Sequence, residues 1–242
     1  VMREPEIWRS PQLRLGPRDL KVELRADSEG ALAAPRIVGH AIAYESWTTL
    51  YEGRYLVCRE KINRGACKRA IEEKQDVRCL FNHDSNWVLG RTASGTLSLV
   101  EDPIGVYIDC KAPVTQTIRD MVITPIERGD VSGMSFAFTC PSGGDMVTTQ
   151  MSDGTVVFQT NSQRITLRED GDKTIEEREI LDCDLFDVSP VTYPAYDSTD
   201  VAIRSRLGVS LDVFAERDRP LARKTPRLDS ARRLLSARNI AG

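Results

Sequence analysis

A chain of 242 residues with 40% hydrophobic and 29% charged residues has the make-up of a soluble globular protein with a substantial core. Its net charge of −3 offers no general attraction to phosphate, and aromatics at 6% leave little for a base-stacking platform, so no nucleic-acid partner is expected. No window approaches the ~20 apolar residues of a helical membrane span, and residues 1–9 are too charged for a signal-peptide core, which excludes membrane partners of that kind and points to the cytosol.

In chain order, residues 1–36 read as a leader segment, broken by Pro5, Pro11, Pro17 and Pro35, with one alternating run at 20–24 suited to a strand. From Ile37 onward, apolar runs with a period near two predict strands at 37–44, 97–100, 106–110, 135–139, 156–159 and 180–188. Segments 64–73 and 118–128 space their apolar residues three to four apart and read as helices, the second shortened or kinked by Pro125. A polar insertion at 140–174 carries a hairpin of Val156-Val157-Phe158 with Ile165-Thr166-Leu167. After Tyr196 the β pattern fades, and the domain is bounded at residue 204. The tail, 205–242, is basic (Arg217, Arg219, Arg223, Lys224, Arg227, Arg232, Arg233, Arg238) and holds two short helical stretches, 211–215 and 230–237. A solvated, partly helical tail is one reading, and a segment that contacts nucleic acid or an acidic partner is the other. The class is mainly β with flanking helices.

Six cysteines without a C-x-x-C pair argue against a zinc site and a disulfide scaffold, so we expect reduced thiols, no metal and no cofactor. Only two histidines exist, His40 and His83, which narrows the search for a general base. His40 opens a strand, where a lone histidine serves structure. His83, in Phe81-Asn82-His83-Asp84-Ser85, emerges from a strand end into a loop, where catalytic groups concentrate. Ser135 follows the Ser132-Gly133-Met134 turn at the head of a strand; it reads as a turn serine or as a nucleophile beside backbone N–H groups that could meet an oxyanion. It is not a G-x-S-x-G elbow, because Ala137 stands where the last glycine belongs. In the run 181–191, alternation sets Asp182 and Asp184 on one face and Leu185 with Asp187 on the other, so an acid on the buried face needs a partner. Asp187, in line with Leu185, is the better candidate for an acid that orients a histidine, a plain surface carboxylate being the other reading.

Read in order, Gly39-His40-Ala41 with Tyr44, Asn63-Arg64-Gly65-Ala66, Phe81-Asn82-His83-Asp84, Leu89-Gly90-Arg91-Thr92, Leu97 with Glu101-Asp102 and Gly105, Ser132-Gly133-Met134-Ser135-Phe136, and Phe186-Asp187-Val188-Ser189-Pro190-Val191 with Pro194-Ala195-Tyr196 resemble the successive blocks of the prohead protease family of tailed bacteriophages. That family is distantly similar to the herpesvirus assemblins. The resemblance covers residues 37–204 and implies a closed β-barrel with flanking helices over that protease domain. It implies Ser135 as nucleophile, His83 as base and Asp187 as third member, although the family's usual residue there is Glu, which keeps Asp182 and Asp184 open. Arg91 would support the oxyanion or else form a structural ion pair. The implied function is a serine endopeptidase that cleaves the major capsid protein precursor, its scaffold segment and itself in the host cytoplasm, inside the assembling prohead, with a homodimer allowed. An inactive capsid-assembly or scaffolding protein on the same barrel is the alternative, and a β-rich binding domain a further one.

Overall fold

The computed structural model describes residues 8–10, 20–25, 34–141, 146–192 and 217–218. The protein is mostly β, 55% strand against 12% helix, and its strands form three sheets. The first runs in the order β1 (Trp8–Ser10), β10 (Gly133–Thr139), β15 (Asp184–Val191), β6 (Arg78–Phe81), β7 (Asp84–Arg91). The second runs β2 (Lys21–Arg25), β3 (Ala34–Ala43), β9 (Gly105–Lys111), β8 (Leu97–Glu101), and the third β11 (Val147–Gln150), β12 (Val156–Gln159), β13 (Gln163–Asp170), β14 (Lys173–Ile180), β5 (Leu56–Ile62), β4 (Thr48–Glu52). Pairing is antiparallel except between β14 and β5 and between β15 and β6.

The first and second sheets share one core. Phe136 and Phe138 of β10 lie in it with Ile37 and Ile42 of β3 and Ile108 of β9, all fully buried. Each such side chain contributes about 1.5–3 kcal/mol through removal from water. In the third sheet, period-two alternation turns Val156 and Phe158 of β12 and Ile165 and Leu167 of β13 inward to a smaller cluster, as the hairpin pattern in the sequence requires.

The closed barrel expected from the family resemblance is not formed. The first sheet ends on β1 and β7, and the strand after β7 joins β9 in the second sheet instead of extending the first. β7 comes close to β9 without pairing to it: a Cβ on Gly90 would lie 2.6 Å from Cys110 Sγ. Along β7, Ser85, Asn86, Val88 and Arg91 are exposed. None of the three sheets closes on itself among the described residues.

The helical stretches also differ from expectation. Helix α1 spans Lys68–Glu72, shorter than 64–73, because Gly65 takes a left-handed backbone (φ +85°) and residues 63–67 turn instead. The second stretch is continuous but divided: α2 (Gln116–Ile118), a π-helical turn (Arg119–Ile123) and α3 (Thr124–Arg128). Pro125 lacks the N–H for a normal helical bond, and the wider π turn just before it absorbs that loss.

The expected strand 180–188 is two strands. At residues 181–183 the backbone leaves the third sheet, with Leu181 N and Asp182 N donating to Ser162 O (2.7 and 3.0 Å) and Cys183 N to Ala66 O (3.0 Å), and then enters the first sheet as β15. Of the tail, Arg217 and Asp218 rest on the third sheet. Asp218 accepts hydrogen bonds from Tyr51 Oη and Arg54 N (both 2.9 Å) and Tyr55 N (2.5 Å), and Arg217 pairs with buried Glu176. The expected helices at 211–215 and 230–237, and Pro194-Ala195-Tyr196, lie outside the described residues.

Candidate active site

Asn82 and His83 form the whole connection between β6 and β7, and both have left-handed backbones, φ +55° and +58°. Two-residue hairpins favour such turns because their twist matches the flanking strands. Asn enters this region readily; for His it costs about 1 kcal/mol, which the surroundings must hold in place. They do so through Asn82. Its N–H donates to Pro190 O (3.0 Å), its Nδ2 to Thr192 Oγ1 (3.2 Å), and its Oδ1 accepts from Thr192 N (2.8 Å). The turn is thereby fastened to the end of β15.

Strand order then assembles the chemistry. β10, β15 and β6 are neighbours, so Ser135 on β10, Asp187 on β15 and the turn leaving β6 converge. A bulge precedes the acid: Ala137 pairs with Asp187 and Phe138 with Leu185, leaving Phe186 as the extra residue. His83 Nε2 lies 2.7 Å from Ser135 Oγ, and His83 Nδ1 lies 2.6 Å from Asp187 Oδ1. All three groups are nearly dry, with the side chains of His83 and Asp187 5% and 10% exposed and Ser135 4%. A carboxylate only accepts, so Nδ1 carries the proton and Nε2 is left to accept from the serine hydroxyl. A hydroxyl, an imidazole and a buried acid in this linear order suit proton abstraction from the hydroxyl.

The family model for caudovirus prohead serine proteases matches residues 20–211. The chain belongs to that family. The match begins before and ends after the stretch covered by the sequence blocks. Comparison with curated proteins and with solved structures finds no match.

In this prohead protease the other two candidate acids are engaged elsewhere. Arg69 of α1 donates to Asp182 (Nε to Oδ2, 2.9 Å) and to Asp184 (Nη2 to Oδ1, 2.7 Å), and Gln75 adds a 2.6 Å bond to Asp184. Arg91 takes the ion-pair alternative: Nε and Nη2 donate to the two oxygens of Asp76 at 2.7 and 2.5 Å, which holds that carboxyl below its usual range. His40 belongs to the second sheet and bonds Asp102 through Nε2 at 2.9 Å. All six cysteines are free, and Cys183 is pushed well above a normal thiol by its contact with Cys67 and by burial, which makes it a poor nucleophile. No group of side chains among the described residues is arranged to hold a metal ion, and no helix there is long and apolar enough to cross a membrane.

Two residues at this candidate site went unmarked in the sequence. Asn82 anchors the turn, and Ser189 donates from Oγ to Asp187 Oδ1 at 2.7 Å. The first had a visible signal, an Asn heading a two-residue connection; the second lies two positions from Asp187 on one strand face.

Proposed function

We propose that this prohead protease is an active endopeptidase in which Ser135 is the nucleophile, His83 the general base and Asp187 the orienting acid. Its substrates are the major capsid protein precursor, the scaffold segment and its own chain, cut inside the assembling prohead. The observation that carries this reading is the unbroken hydrogen-bonded line from Ser135 Oγ through the imidazole to Asp187 Oδ1, at 2.7 and 2.6 Å.

As Ser135 Oγ attacks the scissile carbonyl, His83 Nε2 takes its proton and later returns it to the leaving amine. Asp187 holds the Nδ1–H tautomer and stabilises the imidazolium without taking its proton. The oxyanion is met by backbone N–H groups near Ser132 and Gly133 at the start of β10, with Arg91 left out because its guanidinium serves Asp76. All three groups come from one chain, so a homodimer is not needed to complete the set. Inside a closed shell the high local concentration of substrate lets weak binding per site suffice.

The test pairs a serine-directed acylating probe with Ser135→Ala. The wild type should be labelled at Ser135 and process precursor, and the variant should melt normally yet do neither. Cleavage by Ser135→Ala at the wild-type rate would remove the assignment.

A further inference from the structure

Asp187 Oδ1 is shared between two donors, His83 Nδ1 at 2.6 Å and Ser189 Oγ at 2.7 Å. Ser189 is wholly buried, follows Asp187 by two residues on β15, and stands directly opposite Ser135 in the β10–β15 ladder. With only the imidazole bound, the carboxylate could rotate about its last torsion and exchange the oxygen it offers. A second donor on the same oxygen removes that freedom.

We propose that Ser189 is a positioning residue of the proteolytic site: its hydroxyl fixes which oxygen of Asp187 faces His83. The proposal rests on the reading of Ser135, His83 and Asp187 given above. It concerns the hydroxyl alone, so the informative pair is Ser189→Thr and Ser189→Val, two side chains of one shape of which only the first keeps the donor.

In the full chain, with a precursor peptide as substrate, Ser189→Val should lower kcat by about tenfold to a hundredfold relative to Ser189→Thr, the size of one hydrogen bond to a charged group. KM should change less than about twofold, because no substrate contact is involved. Ser189→Ala should show the same kcat loss, again with KM nearly unchanged. In an Asp187→Ala background, where no side-chain oxygen faces the hydroxyl, it should no longer matter, and removing it should cost less than about twofold. Equal kcat for the Thr and Val variants, or an equal loss in both backgrounds, overturns the proposal. If Asp187→Asn itself leaves turnover intact, it is the underlying reading that fails, whatever Ser189 does.

Discussion

Asp187→Asn replaces a buried carboxylate 2.6 Å from His83 Nδ1 by an amide of nearly the same shape. Two losses are separable by size. If only the charge-assisted character of the Nδ1 bond disappears, the cost is that of one hydrogen bond to a charged group, about 1.5–3 kcal/mol, or roughly tenfold to a hundredfold in kcat. If the amide turns its NH2 toward the imidazole, Nδ1 must accept and the ring proton moves to Nε2, which faces Ser135 Oγ at 2.7 Å and then has no lone pair for the hydroxyl proton. That state is inert toward the serine, and the expected fall is ~10⁴-fold, equivalent to about 5 kcal/mol. Ser189 donates to the same Oδ1 and so favours oxygen there, which makes the final value a contest between the two orientations. The assay is steady-state cleavage of a precursor peptide by Asp187→Asn, Asp182→Asn and Asp184→Asn, with thermal melts as a control. Asp182 and Asp184 bind Arg69, so their variants should stay within a few-fold of wild type in kcat and lose only modest stability. A near-normal Asp187→Asn, or a folded Asp184→Asn that is dead, would refute the reasoning.

Two further outcomes are expected. Arg91→Ala should keep kcat/KM within about threefold, because the guanidinium it removes is bound to Asp76 at the surface; a collapse of turnover with substrate binding intact would restore Arg91 as an oxyanion donor. For pH, burial raises the Glu179 carboxyl, but hydrogen bonds from Arg164, Asn63 and Lys61 outweigh it and bring it down to about 2. A depressed carboxyl stabilises the fold above its unfolded value and loses that contribution as pH falls. The melting temperature should therefore drop between about pH 5 and pH 2. In Glu179→Gln that dependence should be shallower; an unchanged slope would show that the carboxylate is not linked to folding.

The strands with clean alternation were legible. Val156–Gln159 and the run 106–110 inside β9 lie where period two put them, since one buried face per strand is enough to mark them. The break at residues 181–183 was not, because Leu181 and Cys183 continue the apolar pattern and the switch of sheet is made by carbonyls of Ser162 and Ala66, far away in sequence. Closure of a barrel depends on which edges meet, and no residue of β7 announces that its successor will pair with β9. At the site, the local sequence around His83 and Ser135 left structural readings open, and it was the family's order of blocks that singled them out. The Asp76 partner of Arg91 lies fifteen positions away by no regular period, beyond the reach of any local rule.

The connection at Asn82 and His83 has no slack. Both residues are fixed by the turn, and β15 holds the turn by the backbone of Pro190 and Thr192. One inserted residue would shift Asp84 against Phe81 and turn the following side chains to the opposite face, carrying the imidazole off the serine. The turn between β13 and β14 is the reverse case, for Gly171 (φ +59°) has open space about it and no part in the chemistry. Insertions and deletions are thus tolerated unevenly in this protein: the turn between β13 and β14 can lengthen, while two residues between β6 and β7 must remain two.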